Sequence, residues 1–116
     1  MSDTVGRAVL SIDVELFDQT PAYRSASGTT DREGVGLDGL TFLREALTAR
    51  DATTTCFVVS SLADRHPDAI APLAESGFEI ASHTHDHRLL SEHDTEGRRE
   101  QLAKSRDRLE ALTGAS

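Results

Sequence analysis

Three of the five histidines in this chain lie within one short segment, Ser82-His83-Thr84-His85-Asp86-His87. On a helical turn, residues four apart share one face, so His83 and His87 would stand side by side. Two imidazoles at that spacing can bind one metal ion. His85 would point elsewhere, either behind such ligands or into solvent. A single histidine is most often a structural or surface residue, but this cluster favours a metal site.

Two carboxylates close an apolar strand near the N-terminus, in the segment Ser11-Ile12-Asp13-Val14-Glu15. Strand residues two apart point the same way, so Asp13 and Glu15 can converge. Taken alone, the pair is equally compatible with a hydrated strand end, because burying unpaired charge is costly.

The two clusters together predict a catalytic metal site. Glu15 would supply an oxygen ligand beside the nitrogen ligands His83 and His87, and at least one coordination position would stay open for water. Asp13 could then act as the general base that takes a proton from that water. Mixed carboxylate and imidazole ligation is typical of zinc, although cobalt or nickel could also fit.

The elements that must position these residues alternate along the chain. Apolar periodicity predicts strands at 7–16, 53–60 and 78–81, and helices at 37–50, 67–77 and 95–113, with a long polar loop at 18–36. Such alternation is typical of parallel strands joined by right-handed crossovers. Both polar clusters follow predicted strands, and ligands bind at that edge of a parallel sheet.

Helix ends and core residues are also predicted. Asp94 is the expected N-cap of the last helix, and Gly77 the left-handed cap after the preceding one. The expected core consists of aliphatic residues on the inner faces of the helices and of the four phenylalanines. These residues are Leu40, Leu43, Leu47, Ile70, Leu73, Ala74, Leu102, Leu109, Leu112, Phe17, Phe42, Phe57 and Phe78.

The single cysteine, Cys56, excludes an intrachain disulfide. It lies in an apolar run and is expected to be a buried structural thiol, because a nucleophile needs exposure and an activating base. His66 and His93 are interpreted as surface residues.

The net charge of -8 argues against nucleic acid and anionic membranes as partners. Abundant acidic residues with a single lysine, Lys104, resemble the composition of proteins from salt-loving archaea; an ordinary acidic cytosolic protein is the alternative. No signal peptide and no membrane-spanning run is recognisable, so the chain is expected to be cytoplasmic.

The motifs resemble those of the polysaccharide deacetylase family, also called the NodB-homology domain or carbohydrate esterase family 4. The run His83-Thr84-His85-Asp86-His87 matches the family's His-(Ser/Thr)-x-x-His motif, and Ser11-Ile12-Asp13-Val14 stands in place of Thr-Phe-Asp-Asp. Val14 replaces the metal-binding second aspartate. Asp13-Val14-Glu15 looks like a subgroup with Asp-x-Asp or Asp-x-Glu, in which the third residue is the ligand. The similarity extends from about Ala8 to Gly114.

The resemblance implies a metal-dependent hydrolase that removes acetyl groups from N-acetylated sugars, acting on carbon–nitrogen bonds other than peptide bonds. Asp13 would be its base and Glu15, His83 and His87 its metal ligands. The alternatives are a hydrolase of small cyclic amides with the same fold and a truncated, non-catalytic metal-binding module.

The family fold is a distorted, seven-stranded (β/α) barrel, and residues 1–116 would be its N-terminal part. The family's later motifs, an Arg-x-Pro segment and a Leu-x-His motif that carries the catalytic acid, do not occur after His87. The chain is therefore expected to be a fragment or a truncated relative. Because a partial barrel leaves strand edges unpaired, the isolated chain is expected to self-associate and to have negligible activity.

Overall fold

The chain forms a three-stranded parallel sheet with helices between and after the strands. The structure is a computed structural model and describes residues 5–20 and 35–114. The strands are β1 (Ser11–Val14), β2 (Thr55–Val58) and β3 (Glu79–Ser82), in the order β1-β2-β3. The helices are α1 (Val35–Thr48), α2 (Ser60–Arg65), α3 (Pro67–Glu75) and α4 (Thr95–Thr113), and short 3-10 turns lie at Phe17–Gln19 and Leu90–Glu92.

The predicted α/β class is confirmed, because both strand pairs are parallel and each strand is followed by helix. The three described strands form an open sheet. The complete seven-stranded (β/α) barrel, and the extent of a single domain over residues 1–116, therefore stay predictions.

Several predicted boundaries are wrong. The strand predicted at 7–16 has only four residues in the sheet, and α1 begins at Val35, before the predicted start at 37. Helix α2 is not predicted by the sequence, because the pattern extends the strand to residue 60 and begins the next helix at residue 67. Of the predicted loop, residues 18–20 are described and belong to the turn after β1, whereas residues 21–34 lie outside the described part of the chain. Pairing between neighbouring strands sets the ends of the strands, and apolar periodicity alone does not reveal that pairing.

Two helix ends follow the local sequence signals. The Asp94 carboxylate accepts the backbone N–H of Gly97 at 2.7 Å and caps α4. Gly77 has φ +85° just after α3, a conformation that glycine adopts without a Cβ clash. No helix within residues 5–20 and 35–114 combines the length and the apolarity needed to cross a membrane.

The core lies around the central strand β2. Cys56 and Val58 are completely buried, as are Leu62 of α2 and Ile70 of α3. They pack with further buried residues from every layer, namely Val14, Leu16, Leu40, Ala63, Leu73, Phe78 and Leu109. The sheet is thus covered mainly through α2, α3 and α4.

Of the four phenylalanines predicted to fill the core, only Phe78 is buried. Phe78 is 5% exposed and Phe57 is partly buried, but Phe17 and Phe42 are 58% and 68% exposed. Leu102 of α4 and Leu43 of α1, also predicted to face inward, are 50% and 38% exposed. The helical stripes are present in the sequence, but α1 packs chiefly against α3, so part of its apolar face is uncovered.

We expect the Cys56 thiol to be unreactive in the folded chain. It is completely buried, and burial raises its pKa from 9.0 to about 11, so almost no thiolate forms near neutral pH. Alkylation with iodoacetamide at pH 7.5, followed by mass spectrometry, should label it only in urea. Rapid labelling without urea would contradict the described core.

We also expect the isolated chain to self-associate through its uncovered apolar residues. Val9 is 95% exposed beside β1, an edge of the described sheet, and Phe42 projects from α1. Sedimentation should show concentration-dependent association that Phe42→Ser weakens. Leu102→Ser, which removes an exposed apolar residue from α4, is the control and should have less effect. A single monomeric species at all concentrations would contradict this expectation.

Candidate metal centre

The sheet register brings the two polar clusters to the same level. Val14 of β1 pairs with Val58 of β2, and Val58 pairs with Ser82 of β3. Glu15 and His83 are the next residues after β1 and β3. Because the strands are parallel, both residues lie at the carboxyl edge of the sheet, on either side of β2.

Three ligand atoms meet at this edge. The Nε2 atoms of His83 and His87 lie 3.1 and 2.8 Å from Oε2 of Glu15, and 3.0 Å from each other. The three side chains are 20–29% exposed, so the site is half-closed and still reached by solvent. They form the single metal-type cluster of His, Cys, Asp and Glu found among the described residues.

A left-handed turn, and not a helical turn, brings the imidazoles together. Thr84 and His87 have φ values of +64° and +61°, a region that residues with a Cβ seldom adopt. The Thr84 hydroxyl accepts the backbone N–H of His87 at 3.1 Å and closes the turn. The rings pack edge to face with centroids 4.6 Å apart. The spacing of four therefore indicated the correct pair through the wrong backbone geometry.

Asp13 lies at the rim of the cluster. Its Oδ2 atom is 3.9 Å from Nε2 of His83, and its side chain is 62% exposed. Val14, between the two carboxylates, points into the core and is 5% exposed. Residue 14 is therefore turned away from the histidines, whereas residue 15 faces them.

His85 points away from the cluster, toward α2. Its Nδ1 lies 2.8 Å from the hydroxyl of Ser60. Burial lowers the pKa of His85, and the nearby positive charge of Lys104 lowers it further, so the neutral imidazole is favoured.

The two histidines predicted to be surface residues lie outside the cluster. His66 and His93 are partly buried, and Nε2 of His93 is buried without a hydrogen-bond partner among the described residues. The surface interpretation therefore holds only in part for His93, because one nitrogen of its ring is enclosed.

With Glu15 ionised, protons alone do not account for the three short contacts. If both Nε2 atoms carry hydrogen, both can donate to Glu15, but two donors then face each other at 3.0 Å. If one Nε2 is unprotonated, its lone pair faces a carboxylate lone pair. A cation satisfies all three atoms at once. Tetrahedral zinc with ligands at roughly 2.0–2.1 Å requires donor separations of about 3.3 Å, close to those found here. The donor set therefore fits a divalent metal.

A cavity of about 360 Å³ adjoins the two carboxylates. Asp13 and Glu15 line one side, and apolar residues of α1, including Leu37 and Leu40, line the other. The cluster is thus next to a space in which a small organic group could lie.

Some residues that support the cluster were not predicted. Ser60 of α2 and Gln101 and Ser105 of α4 hydrogen-bond to the turn that carries the histidines. Gln101 and Ser105 are four residues apart on one helix, and this spacing is the signal that could have indicated a shared polar face. Serine and glutamine in a helix ordinarily indicate nothing more than a solvated surface, so the signal is weak.

Comparison with protein families identifies one match, to the model described as polysaccharide deacetylase, over residues 39–116. This range covers about two-thirds of the chain and includes both histidines of the cluster. Comparison with curated proteins found no match.

Several solved structures are similar to the chain. A putative polysaccharide deacetylase from Mycobacterium smegmatis has a TM-score of 0.75 and 28% identity, with 92% of this chain and 39% of that chain covered. A peptidoglycan N-acetylglucosamine deacetylase has a TM-score of 0.68 and 21% identity, covering 91% and 41%. A CE4 family pseudoenzyme from Bacillus anthracis has a TM-score of 0.71 and 19% identity, covering 93% and 32%.

The last two likenesses show a common fold and no more, and one of those proteins is described as a pseudoenzyme. This chain spans less than half the length of each of the three. The family match covers most of the chain, and its motif residues His83 and His87 meet Glu15 in space. The chain therefore belongs to the polysaccharide deacetylase family.

Proposed function

We propose that this chain carries the metal-binding part of the active site of a metal-dependent hydrolase that removes acetyl groups from N-acetylated sugars. The family supports a hydrolase acting on carbon–nitrogen bonds. The observation that carries the metal proposal is the meeting of Glu15 Oε2 with the Nε2 atoms of His83 and His87 within 4.8 Å of one another. The related structures are more than twice as long as this chain, so substrate and activity are proposed here and not shown.

Glu15, His83 and His87 would hold the metal. When bound, a divalent ion, most simply zinc, polarises the acetyl carbonyl and lowers the pKa of a water molecule beside it. The partial exposure of all three side chains leaves a side of the cluster open to water and substrate.

Asp13 is the proposed general base. Its carboxylate lies at the rim, 3.9 Å from the nearest ligand nitrogen, and so stays free to accept a proton. Oδ2 would take the proton of the attacking water as the water oxygen bonds to the carbonyl carbon. The carbon–nitrogen bond would then break as the leaving nitrogen accepts a proton from a general acid that the four site residues do not supply, and the products would be the free amine and acetic acid, which ionises to acetate.

The cavity beside Asp13 and Glu15 supports a substrate with an apolar part near the scissile bond. Its walls from α1 are apolar, which suits an acetyl methyl group. The same space could take a small cyclic amide.

A specific observation keeps that second candidate open. Residue 14 is buried and residue 15 faces the histidines, as expected for the Asp-x-Glu subgroup, whose members act on peptidoglycan or on small cyclic amides. Assays with an N-acetylglucosamine oligomer and with a cyclic amide such as allantoin, on the protein that carries this chain, would distinguish the two.

We expect one divalent metal ion per chain. Protein without a purification tag should bind zinc in a 1:1 ratio after removal of metal with EDTA, as measured by elemental analysis and calorimetric titration. His83→Ala with His87→Ala should abolish binding, because a single carboxylate remains. His66→Ala with His93→Ala is the matched control, with the same loss of two imidazoles outside the cluster. Equal binding by both double variants would contradict the assignment.

We expect Asp13→Asn and Glu15→Gln to separate the two carboxylate roles. Asn keeps the shape of Asp13 but takes no proton, so the protein that carries this chain should retain zinc and lose about 10²–10⁴-fold in kcat. Glu15→Gln should lose zinc affinity first. Zinc content and kcat measured on the same samples decide it. If Asp13→Asn lost the metal and Glu15→Gln kept it, the two roles would be reversed. If neither variant affected turnover, the chain would not carry the active site.

A further inference from the structure

Thr84, between the two proposed ligands, is held in an unfavourable conformation. Its φ of +64° is uncommon for any residue with a Cβ and rarer still for a β-branched one. Such a conformation persists only where surrounding contacts fix it. The chain bends just after this residue, at residues 85 and 86, and His83 and His87 face the same carboxylate.

The contacts that fix Thr84 come from two helices, α2 and α4, which both donate hydrogen bonds to its carbonyl oxygen. The backbone N–H of Ser60, the first residue of α2, donates to it at 3.0 Å. The hydroxyl of Ser105, in the middle of α4, donates to it at 3.1 Å. Both lone pairs of the carbonyl oxygen are therefore used, and both serines are completely buried.

Ser105 also closes a ring of hydrogen bonds around Thr84. The Thr84 N–H donates to the Ser82 hydroxyl at 3.3 Å, and the Ser82 and Ser105 hydroxyls lie 2.7 Å apart. Since Ser105 donates to the Thr84 carbonyl, Ser82 must donate to Ser105. Each of the two hydroxyls thus donates one hydrogen bond and accepts one, an arrangement in which hydrogen bonds strengthen one another.

We propose that Ser105 is a positioning residue for the metal centre, holding Thr84 in the left-handed conformation that brings His83 and His87 to Glu15. Ser105 touches none of the three ligand side chains and acts through the Thr84 peptide. The inference rests on the proposed metal site and adds a residue from α4 to the machinery that shapes it.

The competing explanation is that Ser105 is small only because α4 packs closely on β3. Substitution separates size from hydrogen bonding. Ser105→Ala keeps the size and removes the hydroxyl. Ser105→Thr and Ser105→Val have nearly the same shape, and only the threonine keeps the hydroxyl, so any steric disturbance is common to both.

The first measurement is zinc affinity of the metal-stripped 116-residue chain, by competition with a chromophoric chelator. Ser105→Ala should weaken zinc binding about 10–100-fold, the usual effect of removing a group behind the ligands. Ser105→Thr should bind more tightly than Ser105→Val. Leu109→Ala is the control, because Leu109 is buried one turn further along α4 and makes no hydrogen bond to the turn. It should lower the thermal stability without changing the affinity of the folded chain.

The second measurement needs no metal. Amide hydrogen exchange of the segment 82–87 in the metal-free chain should be faster in Ser105→Ala than in the unaltered chain, with little change in β2. Leu109→Ala should raise exchange broadly. If the unaltered chain binds no zinc, the proposed function fails, while the exchange result still tests the hold on Thr84.

Equal zinc affinity for Ser105→Ala and the unaltered chain, or equal affinity for the Thr and Val variants, would overturn the inference. Unchanged exchange at 82–87 would overturn it as well.

Discussion

The candidate site depends on the register of the parallel sheet. Val14, Val58 and Ser82 lie in one row across the three strands, so the chain leaves β1 and β3 at the same level. Glu15 and His83 are separated by 67 intervening residues yet start from equivalent positions at one edge. A shift of one residue in either pairing would turn a side chain to the opposite face and remove it from the cluster. The packing of Cys56 and Val58 in the core is what holds that register.

The second histidine, His87, is brought to Glu15 by a turn with positive φ values at Thr84 and His87, and this turn is hydrogen-bonded to two helices. The donors of α2 and α4 converge on the Thr84 carbonyl, and the Thr84 hydroxyl holds the N–H of His87. The site therefore has an outer layer of buried serines and an inner layer of carboxylate and imidazole. In such an arrangement the hydrogen bonds of the outer layer hold the three donor side chains close together, although the lone pairs of their donor atoms repel one another.

The helices differ in how completely they are packed. Helix α4 contacts β3, α2 and α3, and these three helices all contribute buried apolar residues to the core, whereas α1 exposes Phe42 and contacts chiefly α3. The cavity beside Asp13 is lined in part by α1. The proposed metal ligands thus lie near tightly packed helices, and the cavity adjoins the less covered helix.

The sequence by itself determined the class of fold, the order of the strands and of the three longer helices, and the four residues at the candidate site. Those signals are local: apolar periodicity, the caps at Asp94 and Gly77, and donor atoms at short spacings. The roles of Asp13, Glu15, His83 and His87 nevertheless stay proposals, because proximity does not demonstrate binding or catalysis.

Only the tertiary structure decided how the ligands meet and which apolar residues are buried. The carbonyl of Thr84, a residue with positive φ, accepts hydrogen bonds from Ser60 and Ser105, which lie 24 residues before it and 21 after it. Phe42 is exposed and Phe78 buried because different partners lie opposite them. These outcomes depend on contacts between residues distant in the chain, and local periodicity carries no record of such contacts.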